Sequence, residues 1–284
     1  MSHLIACTDG SAYAPSVYDH SAWAAVRTGL AVKVLHVLDP HRERAQRSDL
    51  SGAIGFDASA ELTEELVRLE EAQARVARLK GEAILADARR HFAAAGVAEV
   101  ETLQRHGSLV ETLEEIESAA ELVVIGKRGE QADFAKGHLG GQVERVIRTS
   151  VRPVLVASRA FRPIERFLIA YDGGPSVTRA IEHVLANPIL RGLSCHLLRA
   201  GRIDDKARWF LEETAARLSE GGYEVTTHAI SESPENAIAA AIKEHSVDLL
   251  VMGAYGHSPI RQFILGSTTT TMVRTCSVPV LMFR

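Results

Sequence analysis

Short apolar runs alternate with longer amphipathic stretches along the whole chain. The runs at 4–8, 32–38, 99–103, 122–125 and 154–157 have the length and branched-residue content of strands. A second set follows at 167–171, 195–198, 224–229, 249–252 and 280–283. Helical periodicity fills the gaps, so each half reads strand, helix, strand, through to a fifth strand. Such alternation predicts an α/β fold in which a parallel sheet carries helices on both faces.

The two halves repeat one another. Leu4-Ile5-Ala6-Cys7-Thr8-Asp9-Gly10-Ser11 answers Phe167-Leu168-Ile169-Ala170-Tyr171-Asp172-Gly173-Gly174. Leu122-Val123-Val124-Ile125-Gly126 answers Leu249-Leu250-Val251-Met252-Gly253. Gly107-Ser108 and Ser233-Pro234 open corresponding helices, and Pro153-Val154-Leu155 answers Pro279-Val280-Leu281. Ordered matches over so long a period indicate two tandem units rather than a solenoid. We divide the chain at 1–160 and 161–284, with the join near Pro163.

The first unit is longer. Asp9 to Gly126 spans 117 positions and Asp172 to Gly253 spans 81, a difference of 36 within 41–96. A polar stretch to about Asp57 precedes a long helix. Leu62, Leu66, Leu69, Ala72, Val76, Leu79, Ala83 and Ala86 give that helix an apolar stripe at three- and four-residue spacing. Such a stripe most often packs on a core, so a longer packing helix is expected; a lid or partner surface is the alternative.

Composition narrows the function. The net charge is −4, without a basic block or an aromatic-interleaved basic patch, which argues against nucleic-acid binding. No apolar run approaches a membrane span and no leader pattern is present, so a soluble cytoplasmic protein is expected. Cys7, Cys195 and Cys276 are far apart, odd in number and without a CxxC pair. Cys7 and Cys195, each in a strand, read as small buried apolar groups rather than redox centres.

One segment carries chemistry. After the run ending at Met252 come Gly253, Gly256, Gly266 and Ser267, spaced Gly-x2-Gly-x9-Gly-Ser, and a helix follows. Glycines let backbone approach a ligand, and a helix N-terminus offers free N–H groups at the positive end of its dipole. The spacing is neither a P-loop nor a dinucleotide fingerprint. It resembles the nucleotide-binding motif of universal stress proteins, and the resemblance extends over nearly the whole chain as a tandem pair.

That resemblance implies doubly wound, open five-stranded parallel sheets of the adenine nucleotide alpha hydrolase-like type. It implies ATP, with Mg2+, in a crevice at the carboxyl ends of neighbouring strands one and four. Residue by residue, it places Asp172 near adenine or ribose and the backbone at Leu198 and Arg199 along the adenine edge. Gly253 would border the ribose, and Gly256, Gly266 and Ser267 would hold phosphates, with Thr268 adding a hydroxyl. His257 and Arg261 lie in the loop and are candidate phosphate contacts. Each residue also has a plainer role: Asp172 as a turn or cap residue, Ser267 as an N-cap, His257 and Arg261 as solvated side chains. No side-chain cluster for a dedicated metal cage is evident.

In the first unit ten residues, not nine, separate Gly129 from Gly140, and Gly141 replaces the serine. That site is expected to be degenerate. Dedicated catalysis lacks a recognisable motif, so at most slow ATP hydrolysis is expected. The main reading is a nucleotide-binding regulatory protein of the stress response. A scaffold with vestigial sites, and an enzyme acting on a phosphorylated or adenylated small molecule, remain alternatives. The family dimerises through its last strand, which implies an intramolecular pseudo-dimer here and leaves a homodimer open.

Overall fold

The computed structural model of the protein describes residues 2–39, 59–127, 141–254 and 266–284. The first half runs β1 (His3–Thr8), α1 (Ala14–Thr28), β2 (Ala31–Leu38), α2 (Ser59–Ala94), β3 (Val100–His106), α3 (Leu109–Ile116), β4 (Ala120–Gly126), α4 (Gly141–Thr149) and β5 (Val154–Ala157). The second half repeats that order as β6 (Arg166–Ala170), α5 (Pro175–Ala186), β7 (Ser194–Ala200), α6 (Asp205–Glu220), β8 (Val225–Ile230), α7 (Pro234–Glu244), β9 (Leu249–Gly253), α8 (Ser267–Thr275) and β10 (Val280–Phe283).

Local chemistry explains the boundaries. The prolines opening α5 and α7 are pre-set for helical φ and lack an N–H that would otherwise go unpaired. Gly29 ends α1 at φ 70, with its N–H bonded to the Ala25 carbonyl. That left-handed cap is the natural stop for a helix. Every residue of β1, β5 and β10 is buried, as expected of strands covered on both faces.

Within each half all strand pairs are parallel, in the order 3-2-1-4-5, so β1 lies beside β4 and β6 beside β9. The two arrays do not stand as separate sheets. β5 and β10 pair antiparallel, with Val280 opposite Val156 and Met282 opposite Val154. The result is one ten-stranded sheet, β3-β2-β1-β4-β5-β10-β9-β6-β7-β8. Alternate strand residues face opposite sides. Leu4, Ala6, Phe167, Ile169 and Val251 therefore enter one core, and Ile5, Cys7, Leu168, Leu198 and Met252 enter the other. Side chains tie the halves further: Lys127 Nζ donates to the Cys276 carbonyl at 2.6 Å, Arg284 to that of Thr149 at 3.1 Å, and Arg27 to those of Ile189 and Arg191.

The long helix departs from expectation. Its period is right and its phase is wrong. Leu66, Leu69, Val76 and Leu79 are 50% to 65% exposed, and Ala72, Ala83 and Ala86 are exposed too. The side chain of Leu62 lies outside the described residues. The buried face carries Gly81, Leu85, Ala88 and Phe92, with Phe92 against Tyr18 at 5.6 Å between ring centroids. Gly81, Leu85 and Ala88 each follow a stripe position by two residues, which is about 200° around a helix. α1, β2 and β3 offer packing surface only to the last turns of α2. Residues 64–80 extend beyond that surface and are exposed, apart from the half-buried Ala77.

Candidate functional site: a cleft at the carboxyl ends of β6, β7 and β9

A cleft of about 170 Å3, partly open to solvent, sits where the carboxyl ends of β6, β7 and β9 meet the N-termini of α7 and α8. Its place follows from strand order. β6 lies between β7 and β9; the chain leaves β6 towards β7 on one side and leaves β9 towards β10 on the other, so the connections diverge and leave a crevice between them. Ala170, Leu198, Ala200, Ile238 and Met252 supply an apolar wall. Tyr171, Asp172, Gly253, Gly266, Ser267, Thr268 and Thr269 bring polar or backbone groups. Apolar walls with a few convergent polar groups are usual for small-molecule sites.

The two described glycines of the motif stand in different surroundings. A Cβ on Gly253 would stand 2.8 Å from Ser176 Cβ and 3.2 Å from the Val177 nitrogen. This glycine lets the first turn of α5 press against the end of β9. Gly266 is different. Its φ of −57 and ψ of 146 suit any residue, and among the described residues an added Cβ would meet nothing nearer than Thr269 Oγ1 at 3.4 Å. Packing does not demand a glycine there, although it lines the cleft.

Gly266, rather than Ser267, is the N-cap of α8. Among the described residues no side chain caps this end, and no acidic residue sits in its first turn. The first intrahelical bond runs from the Thr270 N–H to the Gly266 carbonyl, so the N–H groups of 267–269 lie ahead of the helical ladder. The threonine hydroxyls turn inward. Thr269 Oγ1 donates to the Ala254 carbonyl at 3.2 Å, and Thr268 Oγ1 to Glu235 Oε1 at 2.5 Å. Glu235 lies in the first turn of α7, so this bond links two helix N-termini at the rim. Ser233-Pro234 marks the start of α7 in the repeat, but the proximity of the Glu235 carboxylate to Thr268 had no sequence signal.

Asp172 follows β6, half buried, and its carboxylate accepts the Gly174 N–H at 2.8 Å. It forms the turn into α5 and lines the cleft as well. Leu198 is in the wall, but its carbonyl accepts the Tyr171 N–H at 2.7 Å within the sheet. β7 continues to Ala200, two residues beyond the strand end expected from sequence, and Ala200 borders the cleft. Arg199 falls on the other side of the strand, with its guanidinium 5.9 Å from the Tyr171 ring centroid. Asp172, Leu198, Gly253, Gly266, Ser267 and Thr268 thus converge on one cleft, and Arg199 does not. Gly256, His257 and Arg261 lie outside the described residues. Tyr171, Ala200, Pro234, Ile238, Met252 and Thr269 also line the cleft and were not singled out by sequence.

The corresponding corner of the first half is built differently. Asp9 Oδ1 accepts the Ser11 N–H at 3.0 Å, as Asp172 accepts that of Gly174. Gly10 sits at φ +69, and a Cβ there would lie 2.4 Å from Ile84 Cδ1 of α2. Lys127, two positions before Gly129, reaches across to the second half. Gly129 and Gly140 lie outside the described residues.

Comparison with known proteins agrees with this architecture. The model of the universal stress protein family matches residues 1–158 and 197–284. A universal stress protein of Synechocystis is 36% identical over 287 residues, covering all of both chains. One of Mycobacterium tuberculosis is 25% identical over 194 residues, 62% of this chain and 65% of that protein. Among solved structures, a universal stress protein of Archaeoglobus fulgidus shares the fold. It superposes with a TM-score of 0.76 at 23% identity, over 99% of this chain and 98% of the other.

Proposed function

The chain belongs to the universal stress protein family, and on that premise we propose that its second half binds ATP, accompanied by Mg2+, as a regulatory protein of the stress response. The observation that carries this reading is the uncapped N-terminus of α8, opening on an apolar cleft. Adenine suits the wall of Leu198, Ile238 and Met252. Asp172 offers a carboxylate to ribose. Phosphates suit the N–H groups of 267–269 and the Ser267 hydroxyl, where the helix dipole favours negative charge. Gly266 leaves room for that approach.

The donor set also suits the cation. Mg2+ takes oxygen ligands and is usually held through substrate phosphates and one or two protein oxygens. Thr268 and Glu235 provide a hydroxyl and a carboxylate at the same rim. The ion would offset phosphate charge there. The described part of the cleft lining holds no Lys or Arg, so backbone, dipole and cation would carry that charge between them.

Pairing of β5 with β10 supports reading the chain as an intramolecular pseudo-dimer of two units, 1–160 and 161–284. Ile84 over Gly10 supports reading the first unit's site as degenerate. Among the described residues, no helix is long and apolar enough to cross a membrane.

Isothermal titration of nucleotide-stripped protein with Mg-ATP tests the proposal, beside Gly266→Ala and Ser267→Ala. One site per chain, weakened by both substitutions, is the expected result. Two equal sites would overturn the assignment of the first half. No binding by folded wild-type protein would leave the scaffold reading.

A further inference from the structure

Three histidines distant in sequence come together beside the cleft wall. His196 lies on β7 and His228 on β8, while His245 follows the last turn of α7. The rings stack face to face. Centroids are 5.3 Å apart for His196 and His228, 5.1 Å for His196 and His245, and 4.3 Å for His228 and His245, with interplanar angles of 20°, 12° and 23°. His196 Nδ1 is 3.0 Å from His228 Nε2. One ring nitrogen from each residue lies within 4.8 Å of the others. Among the described residues no other group of three or more metal-ligating side chains is so close.

We propose that His196, His228 and His245 form a binding site for a divalent transition-metal ion, with zinc, nickel and copper(II) as the fitting class. The donor chemistry selects that class, because imidazole suits these ions whereas Mg2+ and Ca2+ require oxygen. The spacing is close to what the metal needs. Tetrahedral zinc with Zn–N of about 2.05 Å sets its ligand nitrogens about 3.3 Å apart. His196 Nδ1 and His228 Nε2, 3.0 Å apart, are close to that separation, and the third nitrogen, within 4.8 Å, closes in by ring rotation. All three residues are half buried, so solvent reaches the site and a fourth position is left for water.

The surroundings tolerate a cation. His245 ends α7, with its N–H on the Ala241 carbonyl, so the negative end of a helix dipole faces the group. Glu244 bears on His228. Arg166 bears on His196, but its Nε donates to the Ser246 carbonyl at 3.0 Å and lies 3.9 Å from Asp248. Burial, then the neighbouring rings, holds His196 and His228 below the usual histidine range, which leaves ring lone pairs available at neutral pH.

The site is one side-chain row from the nucleotide cleft. His196 precedes Leu198 by two residues on the same face of β7, and His228 pairs with Leu198 across β7 and β8. The proposal does not rest on nucleotide binding and is tested without nucleotide.

The test uses untagged, EDTA-stripped full-length protein. Zinc chloride is titrated calorimetrically into wild type, His228→Gln, His245→Gln and the triple His→Gln variant. One equivalent per chain is expected for wild type. Each single variant should bind at least about tenfold more weakly, since even outer-shell changes cost that much, and the triple variant should lose the site. Histidine-ring NMR of the wild type gives an answer independent of variant folding: zinc should shift the resonances of these three rings first. Wild-type binding no stronger than that of the triple variant would overturn the proposal. So would first shifts at any of the other nine histidines.

Discussion

Substituting the two described glycines of the motif should separate packing from binding. Gly253→Ala places a Cβ 2.8 Å from Ser176 Cβ, where carbons normally sit at about 3.5 Å or more. The first turn of α5 must retreat by about 0.7 Å, and overpacking of this kind costs about 1–3 kcal/mol. Alanine recovers about 0.4–1 kcal/mol by restricting the unfolded chain. The net is a loss of roughly 1–2 kcal/mol. At about 2–4 °C per kcal/mol for a chain of this size, the midpoint should fall by about 4 °C. Gly266→Ala meets nothing closer than 3.4 Å among the described residues, at an ordinary φ and ψ. Loss of a favourable cap residue and the gain in the unfolded state offset one another, for a net change within about 0.5 kcal/mol. Thermal denaturation followed by circular dichroism, without nucleotide, reads both. Titration with Mg-ATP then asks whether the stable variant is the one that binds poorly. If Gly266→Ala melted as low as Gly253→Ala, the division of roles between the two glycines would be wrong.

Three further outcomes are expected. Along α2, Phe92→Ala should cost about 3–5 kcal/mol, because the ring is fully buried against Tyr18, whereas Leu69→Ala at 53% exposure should stay within about 0.5 kcal/mol; equal losses in urea denaturation would mean that the stripe is packed after all. Acidification from pH 7 to 5.5 should lower the melting temperature. Burial holds His20 and His183 below the usual value near 6.5, so the unfolded chain binds more protons and their contribution, complete above about 6.5, is lost as pH falls toward the folded values; a rise in stability over that interval would contradict this. The thiols of Cys7 and Cys195 are pushed up to about 12 by burial and that of Cys276 is raised, so a thiol reagent at pH 8 should label the native protein slowly and take up three equivalents only in denaturant; rapid native labelling would refute it.

The His20 expectation has a structural basis. Its Nδ1 is 2.6 Å from the Ser16 carbonyl, which assigns the proton to that nitrogen. Its Nε2 is buried without a hydrogen-bond partner among the described residues. Protonation would add a second N–H with nothing to receive it, and an unmet buried donor is costly.

Much of the architecture could be read from sequence because strand signals here are local. Val154–Ala157 and Val280–Phe283 are apolar runs bounded by a preceding proline, and both form strands with those bounds. Tandem order was visible because the Asp-Gly and glycine-motif segments recur in the same sequence order. The phase of α2 was not legible. Its apolar residues satisfy a helical period on two faces, and only the reach of α1, β2 and β3 decides which face is covered. The carboxylate of Glu235 against Thr268 was hidden for a similar reason, since 33 positions separate them and the contact depends on how α7 and α8 enter the cleft. The histidine cluster drew no attention in sequence because 32 and 17 positions separate its members. They meet only through the pairing of β7 with β8 and the return of α7.

The difference between the halves follows from where the extra residues went. In the second half, α6 begins at Asp205, soon after β7 ends, and the turn after β6 is left facing the cleft. In the first half, α2 arrives after a 20-residue connection and carries Ile84 onto Gly10, at the turn that follows β1. A ligand approaching that turn would have to displace a branched apolar side chain held by a helix anchored at Leu85, Ala88 and Phe92. Lys127 meanwhile donates to the Cys276 carbonyl, so a cation beside the first glycine motif helps to join the halves. The first half therefore uses for packing and docking positions whose second-half equivalents, Gly173 and Ala254, directly follow the cleft-lining Asp172 and Gly253. Ile84→Ala tests this directly. Removing the branch should open the Gly10 turn, and a second, weaker Mg-ATP site appearing in that variant would show that α2, rather than the altered glycine spacing, is what closes the first half to ligand. Binding unchanged at one site would put the cause in the spacing.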